Sequence, residues 1–468
     1  MSETKKNLQK VTKNPLFLLQ KVTKFASKTL QKVTTMIFKR KIFSEIERWN
    51  KNSHKEALLI KGARQVGKTT AVREFARANY DNFVEINFEQ TPEAKQAFAG
   101  SRDANTIIQR LSLMGYGPFV PGKTLVFFDE IQSCPDARTA IKFLAEDGRF
   151  QYIESGSLLG INYKDVSSYP VGFESQIEMF PLDFEEFLWA KGVGVDTIDN
   201  LRQTLFELRR VDNFTHEVLM KHYREYLVVG GMPKVVSTFL TNSDFNETLR
   251  QQKIITDSYR LDIAKYADAQ KTRAKRFFDA IPSQLAKEHK RFILSDLEAS
   301  GSMQKYEDSA QWLADAGVAY FSFNTHSLQM PFEQYENRNL FKVYLLDTGL
   351  LCSLWSGTIQ WEVMQGDIAV NEGALTENFV AAELVRHGHS LHYYDLKSRN
   401  ELDFLIREKK FVTILEIKSG GDYKKHASLN NVLKSSSDNI ERSIVLCRGN
   451  VENSGEILYL PLYAVAFL

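Results

Sequence analysis

The sequence predicts an α/β protein of several domains: a parallel-sheet domain near the start, a helical middle, and a second α/β domain at the end. Three observations carry this. A chain of 468 residues is too long for one ordinary core and points to two to four domains. The apolar run Ala57-Leu-Leu-Ile60 leads straight into Gly62-Ala-Arg-Gln-Val-Gly67-Lys68-Thr69-Thr70, a strand, a glycine loop and a helix in succession. The last hundred residues carry a helical stretch followed by three strand-like runs. Boundaries follow the pattern shifts: 1–35 a basic leader, 36–205 the first α/β domain, 206–365 the helical middle, and 366–468 the second α/β domain.

Composition narrows the class. Apolar residues make up 43% and charged residues 25%, and 60 Lys+Arg against 58 Asp+Glu leave a formal charge of +2. This excludes an acidic disordered chain and a whole-molecule polycationic nucleic-acid coat. The three cysteines, Cys134, Cys352 and Cys447, are far apart with no C-x-x-C pair. A thiolate zinc site and a disulfide framework are therefore not expected, and a reducing cytoplasm fits. No apolar run approaches the roughly 18–20 residues of a membrane span.

The leader repeats L-Q-K-V-T at Leu8, Leu19 and Leu30, a period close to three helical turns. One expectation is a basic amphipathic helix on an anionic membrane surface; another is a Lys-rich presequence. Pro15 interrupts the pattern, and the repetition reads best as translated repetitive DNA ahead of a start at Met36. Residues 1–35 hold eight lysines and one glutamate, leaving 52 basic and 57 acidic side chains beyond. The mild basicity thus belongs to the leader.

In the first domain the G-x-x-x-x-G-K-T spacing has a mechanical basis. Gly62 and Gly67 let the backbone wrap a phosphate chain, with Ala63, Arg64, Gln65 and Val66 supplying the turn. Lys68 would reach the terminal phosphates, the Thr69 hydroxyl would ligate Mg²⁺, and Thr70 opens a helix whose N-terminus favours anions. Some sixty residues on, Leu125-Val-Phe-Phe-Asp129-Glu130 describes a buried strand with carboxylates at its C-terminal edge, where open α/β sheets bind ligands. Asp129 would hold Mg²⁺ and Glu130 would polarise the attacking water. A third strand, Phe150-Gln-Tyr-Ile-Glu-Ser155-Gly156-Ser157, ends in hydroxyl residues.

The order G-A-R-Q-V-G-K-T-T, F-F-D-E, E-S-G-S-L-L-G and Pro181-Leu-Asp-Phe-Glu-Glu-Phe-Leu188 resembles a bacterial and archaeal AAA-superfamily group. Its members pair the ATPase with a C-terminal domain of unknown function. Tyr226-Leu-Val-Val-Gly230-Gly231-Met232-Pro233 and Tyr344-Leu-Leu-Asp-Thr-Gly349-Leu350 look like further signatures, and the resemblance runs over residues 36–468. It implies an AAA-type ATPase using ATP and Mg²⁺, with Ser155 or Ser157, Ser157 preferred, sensing the terminal phosphate. Members often carry Gly-Arg ahead of the P-L-x-F-E-E-F segment. This chain has Gly172-Phe173, so no arginine finger is assigned.

The middle reads as helices from Phe206 to Tyr266, broken at Gly230–Pro233. A helix around Tyr306–Ala316 and a strand at Val318 then give a winged-helix outline. Lys271, Arg273, Lys275, Arg276, Lys287, Lys290 and Arg291 form a basic cluster that would contact DNA phosphates, or would be a solvated face.

In the last domain, Gly373–Val385 is amphipathic at helical spacing. Leu391–Tyr394, Leu402–Ile406 and Val412–Lys418 are strand-like. A helix, then strands with Asp403 on the second and Glu416-Ile-Lys418 ending the third, resembles the PD-(D/E)-x-K core of restriction-endonuclease-like proteins. Glu416 and Lys418 leave one face of a strand. Glu377, Asp403 and Glu416 would bind a divalent metal, with Lys418 beside the scissile phosphate. His387, His389, His392 and His426 fit no common zinc spacing.

The expected function is therefore an Mg²⁺-dependent ATPase whose nucleotide state rearranges a nuclease-like module acting on nucleic acid. The alternative is an ATP-driven switch or interaction protein whose nuclease-like domain binds without cleaving. Expected partners are ATP, DNA, and a second copy or another protein.

Overall fold

The computed structural model describes residues 36–52, 56–157, 172–266, 271–355, 362–364, 372–396, 400–435 and 439–468. The leader repeats lie outside the described residues. Lys39–Leu468 form one compact unit; of a separate unit ending at Phe38, residues 36–38 are described.

Apolar spacing at Ile42, Ile46 and Trp49 buries one face of α1 (Ile42–Lys51), and the Trp49 indole donates to the Glu56 carbonyl at 2.9 Å. That contact delivers the chain to β1 (Ala57–Lys61). The glycine loop connects β1 to α2 (Lys68–Asn79), then β2 (Asn82–Asn87), α3 (Ala104–Leu113), β3 (Thr124–Asp129), α4 (Pro135–Asp147) and β4 (Gln151–Gly156) follow. An edge strand, β5 (Glu174–Glu178), completes a five-stranded parallel sheet in the order β2-β3-β4-β1-β5.

Every residue of β3 is buried, as expected of an interior parallel strand, whereas the edge strand β5 is polar and half-buried. Helix α2 packs on β2, β3 and β4, and α4 packs on β1 and β4. Register then fixes the chemistry. Ile60 pairs with Ser155 and Lys61 with Gly156, while Asn87 pairs with Asp129. The C-terminal ends of β1, β2, β3 and β4 therefore open on one edge of the sheet.

Helices follow the parallel sheet, α5 (Phe184–Ala190) ahead of the boundary drawn at 205/206, α6 (Val195–Phe206) ending on it, and α7 (Asn213–Val229), α8 (Pro233–Asn242), α9 (Phe245–Tyr266), α10 (Lys271–Leu285) and α11 (Met303–Asp315) in the middle. Helix α5 starts with a full capping box, in which Asp183 accepts from the Glu186 amide and Glu186 reaches back to the Asp183 amide. The break at Gly230–Pro233 separates α7 from α8 as the sequence predicts.

A hairpin follows, β6 (Ala319–Thr325) and β7 (Glu336–Leu345), then α12 (Thr348–Leu354), α13 (Glu372–Arg386), β8 (His392–Tyr394), β9 (Leu402–Glu408), β10 (Phe411–Lys418), α14 (Ala427–Ser435), β11 (Ile440–Cys447), β12 (Glu452–Ser454) and β13 (Ile457–Pro461). The hairpin does not close off the middle region. Strand β6 pairs parallel with β8, so one mixed sheet runs β12-β13-β11-β10-β9-β8-β6-β7. This sheet crosses the boundary drawn at 365/366. One face buries Leu402, Leu405, Val412, Ile414 and Val445 under Leu429 and Val432 of α14. Helix α13 packs on β6, β7 and β10. The chain is thus α/β, with an AAA-type parallel sheet, a helical middle and a C-terminal mixed sheet. Among the described residues no helix is long and apolar enough to cross a membrane.

Candidate nucleotide site and carboxylate cluster

Gly62 leaves β1 with a φ of +143°, and a Cβ there would lie 2.1 Å from the Met179 carbonyl oxygen. Only glycine fits. Gly67 (φ 105°) precedes α2, which begins without a side-chain cap, so its first amides are left for an anion. Lys68 folds back over the loop and donates to the Gly62 and Ala63 carbonyls at 2.9 and 2.8 Å. Burial pushes its ammonium down to about 8, against the opposing pull of the Glu130 and Asp129 carboxylates.

Asp129 is the hub at the sheet edge. One carboxylate oxygen accepts from the Thr69 hydroxyl at 3.0 Å and from the Asn87 amide at 2.9 Å; the other accepts from the buried Ser155 hydroxyl. Hard oxygen donors from the loop helix and from β3 therefore meet, a donor set that suits Mg²⁺. Glu130 sits next to this hub in a left-handed conformation (φ 54°) and accepts from the Gln132 amide at 2.6 Å. Ser157 touches Glu130 and Arg64, each at 3.4 Å. Of the two serines expected at this strand end, Ser155 supports Asp129 and Ser157 faces Glu130.

Elements far away in sequence hold the loop. Arg40 donates to the Val66 carbonyl at 3.1 Å, to the Phe180 carbonyl at 2.6 Å and to Glu186 at 2.9 Å. Tyr259 on α9 donates to the Arg64 carbonyl at 3.0 Å, and the Gln65 amide donates to the Ser258 hydroxyl at 3.1 Å. The signature stretches form a buttress behind it. Asp347 accepts from the Gly231 amide at 2.6 Å and from the Leu350 amide at 2.9 Å, while the Leu182 amide donates to the Gly231 carbonyl at 2.7 Å. A Cβ on Gly231 would fall 1.8 Å from the Leu182 oxygen, and one on Gly349 would fall 2.3 Å from the Val229 oxygen. Pro233, at the end of the same turn, lies against Gly67. Sequence reasoning missed Asn87, Arg40 and Tyr259. Asn87 had a signal, since it ends the strand that neighbours Asp129; the other two had none.

The second set of predicted residues also converges. Asp403 on β9 accepts from the Ile417 amide at 2.8 Å, and Lys418 pairs with Glu416 at 2.8 Å on β10. Glu377 on α13 is 1% exposed. Two lysines that the sequence does not assign to this site lie within the group. The Lys290 ammonium lies 3.0 Å from Glu377. Lys342 of β7, 1% exposed, lies 2.8 Å from Glu401, 3.7 Å from Glu377 and 3.8 Å from Asp403. Burial raises carboxyl pKa values, but Lys290 and Lys342 overcome it at Glu377 and hold that group down to about 2. Asp403 goes the other way, raised by burial and by the Glu416 and Glu377 charges beside it.

Glu377, Asp403 and Glu416, where the sequence predicts a metal, each lie beside a lysine ammonium group. Among the described residues no group of three or more His, Cys, Asp or Glu side chains is placed to hold a metal ion. Lys290 belongs to the predicted basic cluster, and Lys287 of that cluster pairs with Asp296. His392 pairs with Glu336 at 2.9 Å and His426 bonds Tyr459 at 2.7 Å, so both serve packing.

Fold and loop geometry together define a P-loop domain of the AAA type. Residues 54–188 match the family model of an AAA domain, and residues 220–360 and 372–465 each match the model of a domain of unknown function, DUF8612 and DUF4143. Among curated proteins, an uncharacterized protein of Methanocaldococcus jannaschii is 22% identical over 74% of this chain and 71% of its own length. One of Haemophilus influenzae is 23% identical over 77% of this chain and 81% of its own. A Walker-type ATPase of Pyrococcus abyssi aligns with a TM-score of 0.42 and 15% identity, covering 68% of this chain and 96% of that one.

Proposed function

We propose that this protein is an Mg²⁺-dependent ATPase that uses its nucleotide state to move a C-terminal α/β module. The observation that carries the reading is the meeting of Thr69, Asn87 and Ser155 on Asp129, one residue from Glu130 and beside a loop that holds Lys68 on its own carbonyls. Mg²⁺ held by Thr69 and Asp129 would supply positive charge to the phosphates. The chain's own residues do the rest. Lys68 exchanges two backbone carbonyls for phosphate oxygens, the free amides of α2 bind the chain of phosphates, and Glu130 orients the attacking water and accepts its proton.

Coupling runs through contacts that already tie the loop to the middle region, Tyr259 and Ser258 on α9 and Arg40 with Glu186. Helix α5 in turn touches the C-terminal module, where the Phe184 amide donates to Glu383 of α13 at 3.2 Å. Lys68→Ala is expected to lower affinity for a fluorescent ATP analogue by at least ~100-fold and to abolish ATP hydrolysis. Undiminished turnover by that variant would overturn the reading.

For the C-terminal module, the ammonium groups among the carboxylates favour a binding scaffold, and no cleavage step is assigned to it. One observation favours a nuclease-like role acting on nucleic acid: Glu416 is buried, and its Oε2 has no hydrogen-bond partner. Supercoiled plasmid with Mg²⁺ or Mn²⁺ separates the two. A scaffold leaves it intact with wild type and Asp403→Ala alike, whereas nicking by wild type alone establishes the nuclease.

A further inference from the structure

An AAA-type site needs a positive charge at the terminal phosphate during hydrolysis, and the sequence assigns no residue to that role. Arg64 lies inside the phosphate loop, four residues before Lys68, and its side chain is 26% exposed. The guanidinium donates to Asp262 of α9 at 2.9 Å, to Glu89 at 3.3 Å and to Ser157 at 3.4 Å. Ser157 in turn touches the Glu130 carboxylate at 3.4 Å. One hydroxyl thus separates the guanidinium from the group that polarises water. Its main chain is pinned by Tyr259, and the next residue, Gln65, takes a φ of 66° and bonds Ser258. These contacts fix which way Arg64 leaves the loop. Arg40, by contrast, is committed to the Val66 and Phe180 carbonyls and to Glu186, and Arg73 to Glu85.

We infer that Arg64 is a built-in arginine finger, a cationic group supplied by the phosphate loop of the same chain and held ready by Asp262 and Glu89. This rests on the nucleotide site proposed above and names the residue that completes it. In the reaction, the water oxygen forms a bond to the terminal phosphorus as the bond from that phosphorus to the bridging oxygen breaks. ADP leaves with the electron pair on that oxygen, and the water proton passes to Glu130 and on to solvent. Arg64 forms no covalent bond. It exchanges Asp262 and Glu89 for the equatorial oxygens on which charge builds. Planar two-point donation is what a guanidinium offers and an ammonium does not.

The test uses the full chain with Mg²⁺, ATP, a fluorescent ATP analogue, and ADP with aluminium fluoride. Arg64→Ala is expected to lower kcat by ~10³–10⁵-fold and to lose the ADP–aluminium fluoride complex. Affinity for the fluorescent analogue should stay within about threefold, which also shows that the variant is folded. Arg64→Lys should fall between the two. Wild-type turnover per chain should not change with protein concentration, since no neighbour is needed. Two results would overturn the inference: Arg64→Ala turning over like wild type, or losing ATP affinity in step with kcat. Turnover that rises with concentration and survives in Arg64→Ala would assign the role to a neighbour. Undiminished hydrolysis by Lys68→Ala is a different outcome and counts against the nucleotide site itself.

Discussion

His387, just past the end of α13, shows how a residue with no catalytic part still sets a working range. Burial, helped by the nearby Lys41 charge, holds its imidazole down to about 4. In the unfolded chain a histidine titrates near 6.5. Between these two values the unfolded state binds the extra proton, so stability is full above pH 6.5 and falls as the pH drops toward 4. His387→Gln is expected to remove this part of the acid sensitivity, on the order of 2 kcal/mol, seen as a smaller difference between urea midpoints at pH 7 and pH 4.5. At this scale, what could be read from sequence depended on distance along the chain. Lys68 and Thr69 announce themselves because one turn of backbone fixes their spacing. Arg40 reaches the Val66 carbonyl across 26 residues and Glu186 across 146, and no local pattern records such a contact.

Among the elements, α12 shows what a signature can be for. Its N-cap, Asp347, satisfies the Leu350 amide with one oxygen and the Gly231 amide with the other, so one buried carboxylate joins α12 to the α7–α8 turn. Asp347→Ala removes a helix cap and strands a buried amide, at a cost of about 2–4 kcal/mol. Chemical denaturation should show it, together with weaker nucleotide binding, because Pro233 of that turn lies against Gly67. The glycine pair was legible as a turn. Its partner was not, since the sequence marks where a chain bends and not what it bends against. Strand order behaves in the same way. Strands β1 and β3 could be read from their apolar runs, but β4 lies between them, and only the assembled sheet places Ser155 beside Asp129.

At the scale of the molecule, the α/β class, the parallel sheet and the strand-rich end follow from periodicity and motif order. The partition of the second sheet does not. Strands β6 and β7 look like the close of the helical middle because a helix precedes them and the composition shifts after them. Pairing of Phe323–Thr325 with His392–Tyr394 carries them into the C-terminal sheet instead. Lys342 arrives with β7, which is why the carboxylate cluster could be listed from sequence and its counter-charge could not.

That shared sheet limits how such a protein can be recombined. An exchange of the last hundred residues would carry away Glu377, Asp403 and Glu416 and leave Lys342 and Lys290 behind, uncovering buried charge on both sides of the cut. Lineages that trade C-terminal modules of this design would have to cut ahead of Lys290, which also keeps β6 with its sheet, or change both lysines in the same step.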